Sequence, residues 1–186
     1  AGTADNMSAA LGLCLREGDT VISLGTSGTI YGRTSIGVCD ASGAINGYAD
    51  AASAFLPMVT TLNAAKVTDA VRRLLDVSVV AFDELVLSAP SGSEGLVMLP
   101  YFDGERCPNL PGVTGTLHGL RSATTRAALA RSAVEGVLCG LLEGGDLLAS
   151  HGVSENGRLI LTGGAAQSLF GTRGQHEDRQ IAPLAA

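Results

Sequence analysis

The chain has 186 residues, a net charge of −6 and a hydrophobic share of 46%. That share supports a packed core and excludes a disordered chain. The acidic balance argues against a nucleic-acid partner, whose binding rests on clustered cations, and the single lysine, Lys66, leaves no Gly-x4-Gly-Lys-Ser/Thr phosphate loop.

No apolar run approaches a membrane span and no secretory leader precedes the first motif, so a cytoplasmic protein without membrane contact is expected. Cys14, Cys39, Cys107 and Cys139 lie far apart with no C-x-x-C pair, which fits small core residues or surface thiols of a reducing compartment. The Asn6-Met7-Ser8 sequon reads as accidental. The chain opens inside a motif without an initiator Met, as a piece of a longer protein would.

In chain order, Met7, Ala10, Leu11, Leu13 and Cys14 give a loose helical pattern over 6–16, ended by Gly18-Asp19. Thr20 to Leu24 reads as a strand that runs into the turn Gly25-Thr26-Ser27-Gly28-Thr29. Ile30-Tyr31 and Ser35 to Cys39 read as returning strands of a hairpin or meander, with a further strand around Gly47-Tyr48-Ala49. The broad apolar face of Leu62, Ala65, Val67, Ala70, Val71, Leu74 and Leu75 predicts a helix from Thr61 to Leu75, and a second helix spans Val79 to Ser88.

Pro90 to Ser93 reads as a linker and Leu96 to Leu99 as a buried strand. Residues 101–121 read as one long loop, a length that is usually functional. A small-residue-rich helix is expected from about Ser122 to Ser150, with Gly144-Gly145 kinking or splitting it. Arg158 to Thr162 is the last strand, and the aperiodic segment from Gly171 onward is expected to be mobile. The order of elements predicts an α/β domain with an antiparallel hairpin and helices covering the sheet.

The residues that carry chemistry are few. Asp5 at a helix start is ordinarily an N-cap; near a phosphate site it is a base that orients an acceptor hydroxyl. The Gly25 to Thr29 turn is either a hairpin turn or an anion cradle of backbone N–H groups and hydroxyls. It is no hydrolase elbow of the G-x-S-x-G type, because Thr29 stands where the last glycine belongs. Gly163-Gly164-Ala165 ends a strand, and its glycines serve tight packing or close approach of a nucleotide. His118, His151 and His176 show no metal spacing and read as surface or loop residues. Glu105-Arg106 reads as a buried ion pair shaping the long loop, or as a substrate contact.

Taken together, five segments resemble the C-terminal half of the FGGY carbohydrate kinases, and within them the xylulokinase branch. They are Gly2 to Asn6 around Asp5, Ser23 to Gly28, Leu99 to Pro108, Gly115 to Leu120, and Gly163 to Ala165. The likeness runs in register over about residues 1–170. It implies an actin-like, ribonuclease-H-like fold of two domains with an ATP cleft between them. This chain would be the second domain over 1–170, incomplete at its C-terminus, followed by an unmatched tail over 171–186.

The resemblance further implies that Asp5 accepts the proton of a sugar hydroxyl. Gly25, Thr26 and Ser27 would border the nucleotide phosphates, and Gly163 and Gly164 with Ser168 would line the adenosine side. ATP with Mg²⁺ would be the cosubstrate, the metal meeting charge that no lysine here meets; no protein metal site is implied. The partners would be ATP, the sugar and the absent N-terminal domain, and the resemblance allows a homodimer of the full-length enzyme. The expected reaction is D-xylulose to D-xylulose 5-phosphate. The alternatives are another kinase of the family, acting on glycerol, gluconate or another ketose, or a truncated remnant without catalysis. Three departures accompany the likeness: the first domain is absent, Ala128 stands where the family is usually polar or acidic, and 171–186 match nothing in it.

Overall fold

A computed structural model describes residues 3–153 and 155–164. The segment 171–186, and with it His176 and the expected mobile tail, lies outside the described residues, as do Ala165 and Ser168.

A short helix, α1 (Asp5–Gly12), leads into β1 (Thr20–Leu24), which turns back as β2 (Gly28–Gly32). A second antiparallel pair follows, β3 (Ile45–Ala49) and β4 (Phe55–Thr61). Then come α2 (Ala65–Leu74), α3 (Val79–Ser88), β5 (Val97–Leu99), β6 (Thr116–His118), α4 (Arg126–Ser150) and β7 (Leu159–Thr162). The main sheet has the order β3-β4-β2-β1-β7. All its pairings are antiparallel except β1 with β7, where Ser23 lies beside Thr162.

The sheet is covered on both faces. Ile22, Leu24, Ile30 and Val59 join a core with Val67 and Val71 of α2, Phe82 and Val86 of α3, and Val137, Leu141 and Leu148 of α4. Val21, Tyr31, Leu56, Met58 and Ile160 face the other way, where Met7 and Ala10 of α1 and Leu15 cover them. Burial on both sides explains why the neighbours Val21 and Ile22, which face opposite ways, are both apolar.

Several expectations change. Ser35 to Cys39 form no strand; the chain there is irregular, and the strand pairing with β4 is β3 instead. β4 was unforeseen because Pro57 interrupts it. Pro57 falls between the Tyr31–Met58 pair and the Thr34–Phe55 bridge of the same antiparallel register, so the pairing lacks a bond at Pro57 and resumes beyond it, where Phe55 and Thr34 exchange both backbone bonds. Thr61 ends β4, so α2 starts at Ala65 rather than at Thr61.

Leu96 to Leu99 is not a uniformly buried strand. Met98 is buried while Val97 and Leu99 are exposed, and β5 pairs with β6, which the long loop contains. α4 runs unbroken through Gly144 and Gly145. A Cβ on Gly144 would lie 2.9 Å from Val59 and 3.0 Å from Ile30, so this glycine lets the helix press on the sheet and does not break it. Ala128, at the departing position, is fully buried in the first turn of α4, and its N–H is capped by Thr125 Oγ1 at 3.0 Å.

A clip fastens the start of β1 to β7. The buried Asp19 carboxylate accepts from Arg158 Nη2 at 2.6 Å, from the Arg158 N–H at 2.9 Å and from the Arg16 N–H at 2.9 Å. Burial alone would raise its pKa, but these donors hold it below the usual carboxylate range.

Candidate functional site

The two glycine turns lie side by side. β1 and β7 run parallel, so the turns that follow them leave the same end of the sheet. Gly163 has φ +92°, and a Cβ built on it would stand 2.4 Å from the Leu24 carbonyl oxygen. Only glycine fits there. Gly164 is exposed with open space around it among the described residues. Sequence spacing put the turns about 140 residues apart; the parallel pairing of β1 and β7 makes them neighbours.

Gly25, Thr26 and Ser27 are all exposed. The Gly25 and Thr26 carbonyls are taken by the start of α2: Ala65 N–H donates to Gly25 O at 2.9 Å, and Ala64 and Lys66 N–H to Thr26 O at 3.3 and 3.5 Å. The Gly25 N–H closes the turn on Ser27 O at 3.1 Å. Among the described residues, the Thr26 and Ser27 N–H groups have no intramolecular acceptor. The turn thus points its acceptors inward and its donors and hydroxyls outward, the polarity that an anion requires.

Asp5 is the first helical residue, and Ala4 holds the capping position without a side-chain bond. Asp5 therefore does not fill the ordinary capping role. Its side chain is exposed and makes no hydrogen bond or ion pair among the described residues. The first turn of α1 lies on the face opposite α2 to α4, with Asn6 Nδ2 3.4 Å from Met58 Sδ over the middle of β4. No hydrogen bond joins Asp5 to either glycine turn among the described residues.

Glu105 and Asn63 form a buried group at the base of this end of the sheet. Glu105 Oε1 accepts from the Leu62 N–H at 2.6 Å and from the Arg106 N–H at 2.7 Å, and Oε2 accepts from Asn63 Nδ2 at 2.8 Å. The expected Glu105–Arg106 ion pair does not form; the Arg106 guanidinium reaches Asn46 Oδ1 at 3.0 Å instead. Asn63 Nδ2 also donates to Gly104 O at 2.8 Å, while Asn63 Oδ1 is buried without a partner. Asn63 went unnoticed in the sequence because the apolar spacing of α2 seemed to run through it. Its one signal was its place between Thr61 and the helical run.

Elsewhere the reactive side chains stand apart. His118 and His151 are exposed, as expected, and the His151 ring contacts Leu147 O at the end of α4. Cys14, Cys39 and Cys139 are exposed free thiols, and Cys107 is half-buried. Burial, then the charges of Glu143 and Glu105, push the Tyr101 hydroxyl and the Cys107 thiol above their ordinary pKa values. No cluster of three His, Cys, Asp or Glu residues that could hold a metal occurs among the described residues, and no helix among them is long and apolar enough to cross a membrane.

The chain is 41% identical over 180 residues to a xylulose kinase of Streptomyces rubiginosus, covering 97% of this chain and 35% of that one. It is 40% identical over 181 residues to a xylulose kinase of Streptomyces coelicolor, again covering 97% and 35%. Among solved structures, the xylulose kinase from Bifidobacterium adolescentis superposes with a TM-score of 0.83 at 40% identity, over 90% of this chain and 33% of that one. Plasmodium falciparum glycerol kinase with ADP shares the fold at a TM-score of 0.73 and 17% identity, over 89% of this chain and 34% of that one. The chain thus spans about a third of the length of the relatives it matches. The architecture is that of the actin-like, ribonuclease-H-like sugar kinases. Residues 20–173 match the C-terminal domain of the FGGY carbohydrate kinases, and the chain belongs to that family.

Proposed function

We propose that residues 1–170 are the nucleotide-holding lobe of a kinase that transfers the γ-phosphoryl group of ATP to D-xylulose, giving D-xylulose 5-phosphate. The observation that carries this reading is the pair of adjacent glycine turns, Gly25 to Ser27 and Gly163-Gly164, at the ends of parallel strands. The choice of sugar rests on the names of the relatives, which are xylulose kinases.

The roles of the turn residues follow from their geometry, and those of Asp5 and Ser168 from the resemblance to the family. The outward N–H groups of Thr26 and Ser27, with their hydroxyls, hold phosphate oxygens. The open space at Gly164 admits the nucleoside close to the backbone; Ser168, on the same side by resemblance, lies outside the described residues. Asp5, exposed and unpaired, accepts the proton from the sugar hydroxyl. That oxygen forms its bond to the γ-phosphorus as the bond to the β,γ-bridging oxygen breaks, and ADP leaves with the electron pair.

An accompanying Mg²⁺ would take its ligands from the phosphates and water, since the chain offers no clustered carboxylates among the described residues. When bound it neutralises phosphate charge. The rest of the relatives' length would supply the opposite wall of the cleft. Transfer depends on holding two substrates in a dry site, so the 186-residue chain alone is expected to bind MgATP and to show no turnover.

Calorimetric titration tests this reading. The chain should bind MgATP, and the same chain joined to a xylulose kinase N-terminal portion should release ADP only when D-xylulose is present. No nucleotide binding by either protein would overturn it.

A further inference from the structure

We infer that Glu105 is a positioning residue for the phosphate turn, acting through the β4–α2 junction; this rests on the reading of Gly25 to Ser27 as the phosphate site. Three links connect them. Glu105 is 3% exposed, and its carboxylate holds the Leu62 N–H and the Asn63 amide. The next three residues, Ala64, Ala65 and Lys66, turn their N–H groups onto the carbonyls of Thr26 and Gly25. Those two carbonyls are the ones that would repel a phosphate if the turn's peptides rotated outward.

The chemistry of Glu105 suits this task and no simpler one. Its bonds all come from neutral N–H donors, and no Lys, Arg or His lies within ion-pair distance among the described residues. A buried carboxylate without a counter-ion is costly. An amide of the same shape would fill the space with less desolvation. A carboxylate differs from that amide in being acceptor-only on both oxygens. It therefore fixes the direction of the Leu62 N–H and the Asn63 amide at once, where a glutamine would set an NH₂ against the Asn63 NH₂.

A glycine-containing turn is free to flip its peptides. Gly25 makes this turn permissive, and the start of α2 holds its carbonyls inward. Glu105 holds the start of α2, and the same carboxylate anchors the long loop, whose Gly104 carbonyl accepts from Asn63. The loop at 101–115 and the phosphate turn are thus parts of one bonded assembly, although some 80 residues separate them.

The test is Glu105→Gln in the 186-residue chain, read by amide hydrogen exchange without ligand and by MgATP titration. Exchange at Ala64, Ala65 and Lys66 should quicken at least about tenfold, with one net hydrogen bond weakened in that assembly, and MgATP affinity should fall by a similar factor. Asp19→Asn, which loosens the opposite end of β1, is the control for general destabilisation and should leave both readouts unchanged. Unaltered exchange at those amides in Glu105→Gln would overturn the inference whether or not nucleotide binds. An equal affinity loss in Asp19→Asn would also overturn it. If exchange responds as expected but the unmodified chain binds no MgATP, the mechanical link stands and the phosphate reading of the turn falls.

Discussion

Gly163 packs against the backbone of Leu24 so closely that a single added carbon would lie 2.4 Å from the Leu24 carbonyl oxygen. That contact sets two turns from opposite ends of the chain side by side. It also fixes what a substitution does. Gly163→Ala combines a positive φ with a backbone clash and should cost roughly 1–3 kcal/mol of stability or more. Thermal denaturation checks this, and an unchanged midpoint would show that β7 has freedom to shift away from β1.

Gly164 offers the opposite case. Nothing described lies within 4 Å of a Cβ there, so Gly164→Val should fold with an unchanged denaturation midpoint. Its branched side chain would occupy the space assigned to the nucleoside. In the chain joined to a xylulose kinase N-terminal portion, the KM for ATP should rise while the KM for the sugar stays put. A raised sugar KM with an unchanged ATP KM would remove Gly164 from the nucleotide side.

Asp5→Asn separates catalysis from structure because Asp5 caps nothing and binds nothing among the described residues. Stability and MgATP affinity should therefore hold. Turnover in the joined protein should fall by about 10²–10⁴-fold, the usual worth of a positioned acid–base group. Wild-type turnover would leave Asp5 as an exposed residue of a helix start and no more.

Much of this was legible in the sequence, and the reasons differ by segment. β1 reads correctly because Val21, Ile22 and Leu24, two of them β-branched, sit between the turn residues Gly18 and Gly25. α3 reads correctly because Ser78 caps it, its hydroxyl accepting from the Ala81 N–H, and Pro90 follows it. β4 was hidden by Pro57, a residue that local rules exclude from a strand's interior; here the pairing with β2 gives way at Pro57 and is taken up again at Thr34 and Phe55. Gly144 read as a kink because the sheet residues it packs on, Val59 and Ile30, are distant in sequence. At the site, the glycine turns were visible one at a time, but their adjacency depends on a parallel pairing that no local pattern encodes. Glu105 was read as a buried group shaping the long loop, but its partner could not be read, because Asn63 donates to it across 42 residues.

The last expectation concerns acid. The carboxyls of Asp19, Asp50 and Glu135 are each pushed up by burial but held, on balance, below their ordinary pKa values. The opposing donors are Arg158 and two backbone N–H groups for Asp19, the Ala54 and Ala52 N–H groups with Arg33 for Asp50, and Ser93, Arg131 and the Gly92 N–H for Glu135. A group whose folded pKa is depressed binds fewer protons folded than unfolded. Its stabilisation is complete above the unfolded value of about 4 and drains away as pH falls through the folded one. The denaturation midpoint should therefore be flat from neutral pH to about pH 5 and then drop steeply. Asp19→Asn should remove part of that drop and lower stability near neutrality. Removing one partner of a buried bond costs about 1–3 kcal/mol, and this case belongs at the lower end because water reaches the Arg158 head group, which is 35% exposed. Denaturant titrations of both proteins at pH 7 and pH 4 make the comparison. A gap between wild type and Asp19→Asn that widens on acidification would have the wrong sign and would mean that the Asp19 carboxyl is not held down by Arg158.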